Sequence, residues 1–136
     1  MAAYNKYTAA IEPLLEGINS GTDAWKIALA ATVNAADTTF TAGTTDLVTA
    51  GGYTAGGNAA TTTSATQTSG TYKLVLASPT PWVATGSGFT FRYAILWDST
   101  TNTPVGYWDY GSSQAVAAGE TVTVTLDATN GVFQGT

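Results

Sequence analysis

Apolar residues near the N-terminus recur every three or four positions, which is the period of a helix. They are Tyr4, Tyr7, Ile11, Leu14, Leu15 and Ile18. Pro13 lies inside this pattern, so the helix either kinks there or begins with the proline in its first turn. The polar and glycine residues of positions 19–21 then end the pattern. We therefore predict one short N-terminal helix within residues 4–18.

From Trp25 onward the pattern changes to the two-residue alternation of β-strands. Alternating apolar sets occur at Trp25, Ile27 and Leu29, at Tyr72, Leu74 and Leu76, and at Val122, Val124 and Leu126. Each set predicts a half-buried strand, and residues 58–68, polar and β-branched, predict an edge strand. Asn130-Gly131 predicts a hairpin turn before a last short strand at residues 132–133. These elements indicate a mainly β chain, an antiparallel, jelly-roll-like β-sandwich with one short helix, in a single domain spanning residues 1–136.

The longest alternating stretch carries a cluster of aromatic residues. Phe89, Phe91, Tyr93, Ile95 and Trp97 occupy every second position and are predicted to share one face, in the core. A polar turn follows, and the returning strand places Trp108 and Tyr110 on the face opposite Tyr107. Both faces of this predicted hairpin are therefore bulky. The helix, a long loop or another subunit must cover the second face.

Residues 31–57 form a long stretch rich in Thr, Gly and Ala, without either period. In a compact domain such a long loop is usually functional or ordered by a partner. Its glycine-rich part, residues 50–57, lacks the strand-to-helix setting of a phosphate-binding loop and indicates turns. We expect this loop to become ordered on assembly.

Composition points to a surface with few charges. Only 10% of the residues are charged, against ~25% in a typical domain, and Thr is the commonest residue. Neutral hydroxyls lose water at lower cost than ions, which favours a surface that is partly an interface. The net charge is −5 and the basic residues are scattered, which argues against nucleic-acid binding. No apolar run approaches the ~20 residues of a membrane-spanning helix.

The sequence offers little catalytic chemistry, since it has neither Cys nor His. Asp98 and Asp109, at the two ends of the aromatic hairpin, are the best carboxylate pair. They could form a glycosidase-like acid and base or a Ca²⁺ site. Alternatively, each carboxylate accepts hydrogen bonds from nearby backbone in a turn, which we favour because neither lies in a recognisable motif. We predict no enzyme activity, no cofactor and no metal.

Four aromatic residues are candidate interface residues. Trp82 lies between prolines, Trp108 and Tyr110 occupy the second hairpin face, and Tyr53 lies in the glycine-rich part of the loop. An alternative use of the aromatic residues is the stacking of sugars on Trp97, Trp108 or Trp82, as in a carbohydrate-binding module.

Six stretches, in order along the chain, resemble a family of small structural proteins of tailed bacteriophages. They are YNKY (4–7), WKIAL (25–29), GGYTAGG (51–57), TSGTYKLVL (68–76), FRYAILW (91–97) and VGYWDYGSS (105–113). The resemblance implies a non-catalytic virion component that is encoded among head and tail genes.

The resemblance further implies a capsid decoration (cement) protein, made in the host cytoplasm and located on the capsid surface of the virion. Its expected partners are the phage major capsid protein and sister copies, the latter in a homotrimer. A tail, neck or fibre component is the first alternative, and a carbohydrate-binding module the second.

Overall fold

The computed structural model describes residues 3–135, which form ten strands and one helix. Their bounds are β1 Tyr4–Lys6, α1 Ile11–Glu16, β2 Trp25–Ala30, β3 Asn58–Ala59, β4 Thr62–Thr68, β5 Thr71–Leu76, β6 Trp82–Val83, β7 Phe89–Asp98, β8 Thr103–Val116, β9 Thr121–Val122 and β10 Phe133–Gly135. Strands make up 42% of the chain and helix 5%. The prediction of a mainly β, antiparallel fold with one short helix is confirmed.

The strands form three antiparallel groups. A five-stranded sheet has the order β1-β8-β7-β2-β3, a three-stranded sheet the order β10-β5-β4, and β6 pairs with β9. The long strands β7 and β8 form the hairpin expected from the aromatic stretch, with the chain reversing at Ser99–Asn102. Asn102 has a positive φ of 56°, a left-handed conformation that asparagine tolerates better than most residues.

The larger of two hydrophobic cores lies on one face of the five-stranded sheet. Side chains from β2, β7 and β8 meet side chains from β5, β6 and residues 122–132 there. Examples from the two sides are Leu96 and Trp108 against Leu74 and Leu126, all at most 5% exposed. The strands are thus arranged in layers around one core, as in a sandwich.

The smaller core lies on the opposite face of the same sheet. Its members are Tyr7, Ala10, Ala28, Ala30, Phe40, Ile95 and Trp97. Strand β2 is therefore covered on both faces, and of its residues only Lys26 is half-buried. The prediction of a half-buried strand was wrong at β2, because the residues that cover its second face lie far away in the sequence.

A β-bulge changes which face of the sheet the aromatic side chains of β7 occupy. The pairing of β7 with β8 shifts register between Phe91 and Tyr93. Two steps along β7, from Phe91 to Tyr93, correspond to five along β8, from Gln114 to Asp109, and such an odd shift breaks the regular alternation of faces. Phe91 therefore packs in the larger core, whereas Ile95 and Trp97 pack in the smaller one. The prediction that the alternating residues 89–97 share one face was wrong for this reason.

The N-terminal helix is shorter than predicted. Tyr4–Lys6 pairs with β8, so Tyr4 lies opposite Trp108, and the helix covers only Ile11–Glu16. Strand pairing satisfies the backbone of residues 4–6, which the helical spacing of their side chains could not reveal. Pro13 is in the first turn, where a backbone N–H has no partner within the helix.

The C-terminal part contains a turn but no hairpin. Gly131 has a positive φ of 81° and lies against the carbonyl of Leu74, to which Val132 N–H donates a hydrogen bond of 2.8 Å. The following strand β10 pairs with β5 and not with the segment before the turn. The hairpin predicted at Asn130-Gly131 was therefore wrong. The predicted edge strand at residues 58–68 is found as two strands, β3 and β4, at the edges of two different sheets.

Candidate interface

Three of the four candidate interface residues are buried within the chain. Trp82 is 3%, Trp108 5% and Tyr53 1% exposed, and all three belong to the larger core. Tyr110 is half-buried, with its ring edge-on to Phe91 at a centroid distance of 5.3 Å. These aromatic residues therefore contribute to folding, and three of them present no side-chain surface to a partner.

No tryptophan is available for stacking on a sugar. The four tryptophans of the chain are 2% (Trp25), 3% (Trp82), 5% (Trp97) and 5% (Trp108) exposed. Trp97 stacks on Phe40 with a centroid distance of 3.9 Å and an interplanar angle of 11°. Its indole N–H donates to the Gly56 carbonyl at 3.1 Å. The sugar platform considered for Trp82, Trp97 and Trp108 is therefore not exposed.

The long loop, together with the segment before the helix, covers the second face of the five-stranded sheet. Phe40 from the loop is 3% exposed and closes the smaller core, next to Tyr7 from the N-terminal segment. Phe40 N–H donates to the Asn102 carbonyl at 2.7 Å, and Leu47 N–H to the Leu29 carbonyl at 2.9 Å. The loop thus packs against β2 and the β7–β8 turn of its own chain, and its ordering on assembly stays a prediction.

One carboxylate joins distant parts of the loop. Asp46 accepts hydrogen bonds from Gly43 N–H (2.6 Å), from Gly56 N–H (2.6 Å) and from the Tyr53 hydroxyl (2.5 Å). Leu29 N–H of β2 donates to the same hydroxyl at 3.0 Å. Burial, followed by the bond to Asp46, raises the pKa of Tyr53 far above its usual value, so the phenol remains a donor. We call Asp46, Tyr53 and their partners the loop clasp.

The two aspartates of the hairpin do not form a pair. Asp98 is on β7, opposite Thr103, whereas Asp109 is on β8, opposite Tyr93. Tyr93 and Asp98 are five residues apart along β7, so the two aspartates are ~17 Å apart. Asp98 Oδ1 accepts from Thr100 N–H at 2.8 Å. Asp109 accepts from Gly111 N–H at 2.8 Å, so each aspartate bonds local backbone as the turn interpretation predicts.

Asp109 also binds Arg92 on the neighbouring strand. The guanidinium donates from Nε at 2.9 Å and from Nη2 at 3.1 Å, a two-pronged ion pair. These bonds hold the pKa of Asp109 below its usual value. The pair also fixes the position of Arg92, the residue at the bulge.

Asp98 is fully buried, and its Oδ2 accepts no hydrogen bond from a donor group in the described part of the chain. Burial, and then the side chain of Asp23, raise the pKa of Asp98 to about 6. The protonated form of Asp98 therefore persists to a higher pH than in an exposed aspartate, because its charge would be desolvated beside a second acid. Within residues 3–135, no three acidic side chains come together as a metal site.

The exposed apolar side chains lie on other elements. Leu15 is 82% and Ile11 47% exposed, one turn apart on α1. They line a groove together with Ala9, Pro13, Glu12, Glu16 and Thr38 of the long loop. We call Ala9, Ile11, Pro13 and Leu15 the helix patch. The helical spacing assigned Ile11 and Leu15 to the buried side, whereas only Leu14 of the helix packs against both cores.

Comparisons of the chain with protein-family models, with curated protein sequences and with solved structures gave no match. The resemblance to phage structural proteins therefore depends on the six short stretches alone. Among residues 3–135, the one helix is too short to cross a membrane.

Proposed function

We propose that this protein is a structural component of tailed bacteriophage particles, a decoration protein that binds the outer shell and strengthens contacts between capsomers. The observation that carries the proposal is the contrast between core and surface. The tryptophans are turned inward, whereas a short helix exposes Leu15 and Ile11, next to Glu12 and Glu16, in a chain that has few charges as a whole. Such a surface is suited to contacts between proteins.

The acidic residues are compatible with a role that does not involve catalysis. Asp46, Asp98 and Asp109 each bind backbone N–H groups of their own neighbourhood. They hold the loop clasp, the hairpin turn and the bulge in shape. The groups that would have been the first candidates for acid–base chemistry thus have structural partners.

The mechanism we propose is additive. The helix patch is small, so one copy would bind its site on the major capsid protein weakly. Many copies on a regular lattice, each touching more than one neighbour, would together resist the separation of capsomers, because a linked second contact forms at high effective concentration. Stability would come from the number of contacts.

The location of the chain in a purified particle tests the proposal. Mass spectrometry of particles from cells that carry the gene should detect the chain, and a reconstruction by electron microscopy should place it on the outer shell. Density in the neck, tail or fibre would support the first alternative instead. Particles without the chain would contradict both.

The helix patch can be tested separately by binding to phage heads that lack the protein. Leu15→Ser and Ile11→Ser should each reduce co-sedimentation with heads severalfold, since both remove exposed apolar surface. Val48→Ser is the matched control, because Val48 is 65% exposed but lies in the long loop. Equal losses in all three variants would argue against the helix patch as the contact.

Heat resistance of the heads gives an independent readout. Heads stripped of the protein should open at lower temperature, and adding the wild-type chain back should restore the original value. If stripped and complete heads open at the same temperature, the protein does not act as cement. A carbohydrate-binding module has no support from the tryptophans, which are buried.

A further inference from the structure

Among the strands that end the sheets within residues 3–135, β4 is the longest. The other edge strands are β1 and β10 with 3 residues each and β3, β6 and β9 with 2 each, whereas β4 has 7. Proteins usually protect an edge with charges, prolines or very short strands, because unpaired backbone groups pair readily with another strand. The segment TTSATQT has neither charge nor proline, and most of its side chains are exposed.

The hydrogen-bond partners of β5 show which backbone groups of β4 point outward. Leu74 carbonyl accepts from Val132 on the β10 side, and Val75 carbonyl accepts from the Thr63 hydroxyl on the β4 side. In an antiparallel ladder, alternate residues bond to alternate sides. Since Ala65 lies opposite Leu74 and Gln67 opposite Tyr72, the N–H and C=O groups of Ala65 and Gln67 point away from β5.

We propose that β4 pairs with β4 of a second copy of this chain, antiparallel about a two-fold axis at Thr66. Ala65 of each copy would then face Gln67 of the other, and each such pair would exchange two backbone hydrogen bonds. This register uses the regular residues 64–68 and avoids the bulge between Thr62 and Ser64.

The side chains of β4 are compatible with this symmetric pairing. On the outer face, Thr66 would lie opposite Thr66, and Ser64 opposite Thr68. All of these are hydroxyl side chains, and hydroxyl pairs across strands are favourable. No charge meets a like charge, because Thr62–Thr68 contains none. The occupant we infer is therefore a sister copy, in a two-fold dimer in place of the homotrimer expected from the resemblance.

This inference does not depend on the phage function and is tested on the isolated full chain. Sedimentation over a concentration series should show a species of twice the 13.9 kDa chain mass. Thr66→Lys places two ammonium groups opposite each other at the axis and should weaken the dimer at least about tenfold. Thr66→Glu should do the same, and a mixture of the two variants should restore a dimer.

Gln67→Pro removes an outward N–H without removing a bond to β5, and it should also yield monomer. Thr125→Lys, at an exposed threonine between buried Val124 and Leu126, is the control for added charge and should remain dimeric. Unchanged thermal unfolding of each variant at low concentration would show that the fold is intact.

Three results would overturn the proposal. One is a monomeric wild-type chain at millimolar concentration. Another is a dimer that both Thr66→Lys and Gln67→Pro leave unchanged, since another surface would then mediate it. The last is a chain that is monomeric alone but loses binding to phage heads in Gln67→Pro, because the edge would then accept a strand of a different protein.

Discussion

The two faces of the five-stranded sheet are covered by different kinds of structure. Mainly strands cover one face, and their alternating side chains, such as Leu74 and Leu76, build most of the larger core, to which the loop adds Tyr53. A loop and the N-terminal segment cover the other, with Phe40 and Tyr7 as the main side chains. The loop keeps its shape through hydrogen bonds from glycine N–H groups and a tyrosine hydroxyl to Asp46. A sheet face can thus be buried by irregular chain, provided that its polar backbone groups find partners.

The largest effect is expected in the larger core. Trp108→Ala would leave a cavity between the layers and should lower the free energy of unfolding by about 3–5 kcal/mol. Because this core joins both layers, we expect a single cooperative transition at lower urea concentration. Chemical unfolding followed by circular dichroism measures the change. A loss below about 1 kcal/mol would contradict the central role of this core.

Phe40→Ala should cost somewhat less, about 3 kcal/mol, because the loop can collapse partly into the space that the ring leaves. Trp97 would lose its stacking partner, so its fluorescence should change before global unfolding. Amide exchange should accelerate in the loop and at β2, with β5 unaffected. If β5 exchanged faster as well, the two faces would not be separable units.

Asp46→Ala should destabilise the chain by about 2–3 kcal/mol, because the donors of the loop clasp lose their acceptor. The effect should be greatest in the loop, where amide exchange is the measurement. Tyr53→Phe is a milder companion variant, with about 1 kcal/mol expected from the loss of one hydroxyl. Strong protection of residues 43–56 in Asp46→Ala would show that the clasp is dispensable.

Asp98 lies at the end of β7 and belongs to neither hydrophobic core. Its replacement therefore tests an electrostatic contribution to the free energy of unfolding. Its pKa of about 6 in the folded protein is above its ordinary value of 3.8. A raised pKa means that the folded form binds the proton more tightly, so its stability contribution is complete below about pH 4. That contribution is lost as the pH rises through about 6 and is on the order of 2 kcal/mol.

Asp98→Asn should remove this dependence while retaining an oxygen that accepts from Thr100 N–H. The stability of the variant relative to wild type should therefore increase between pH 4 and 7, as measured by unfolding in urea at several pH values. Asp109→Asn is the comparison variant, because Arg92 lowers the pKa of Asp109. The stability that Asp109 contributes is lost as the pH falls, which is the opposite direction. A constant difference between Asp98→Asn and wild type over this range would contradict the assignment.

Much of the local structure was predictable from the sequence. The alternating sets around Trp25 and Leu74 form strands β2 and β5, and the set that begins at Val122 alternates with exposed residues. The aromatic stretch forms a hairpin. The long loop was also recognised correctly, since residues 31–57 contain no strand of the described sheets. These features depend on neighbouring residues, whose periodicity is written in the sequence.

The exposed surfaces were much less predictable. The helical pattern assigned Leu15 to a buried face, yet it is 82% exposed, and the candidates Trp82, Trp108 and Tyr53 proved to be core residues. Whether an apolar side chain is buried depends on what lies across from it. For Trp108 that is β5 and the segment around Leu126, and neither is near in sequence.

The sequence by itself determined the type of most segments, the hairpin turn after Asp98 and the low overall charge. Only the tertiary structure decided which face each aromatic residue occupies, what covers the second face, and that the predicted edge segment is divided between two sheets. The physical reason is the range of the interactions. Turn and strand preferences arise within a few residues. Two register shifts in the β7–β8 pair, one of them at Arg92, and pairings between distant strands decide the rest.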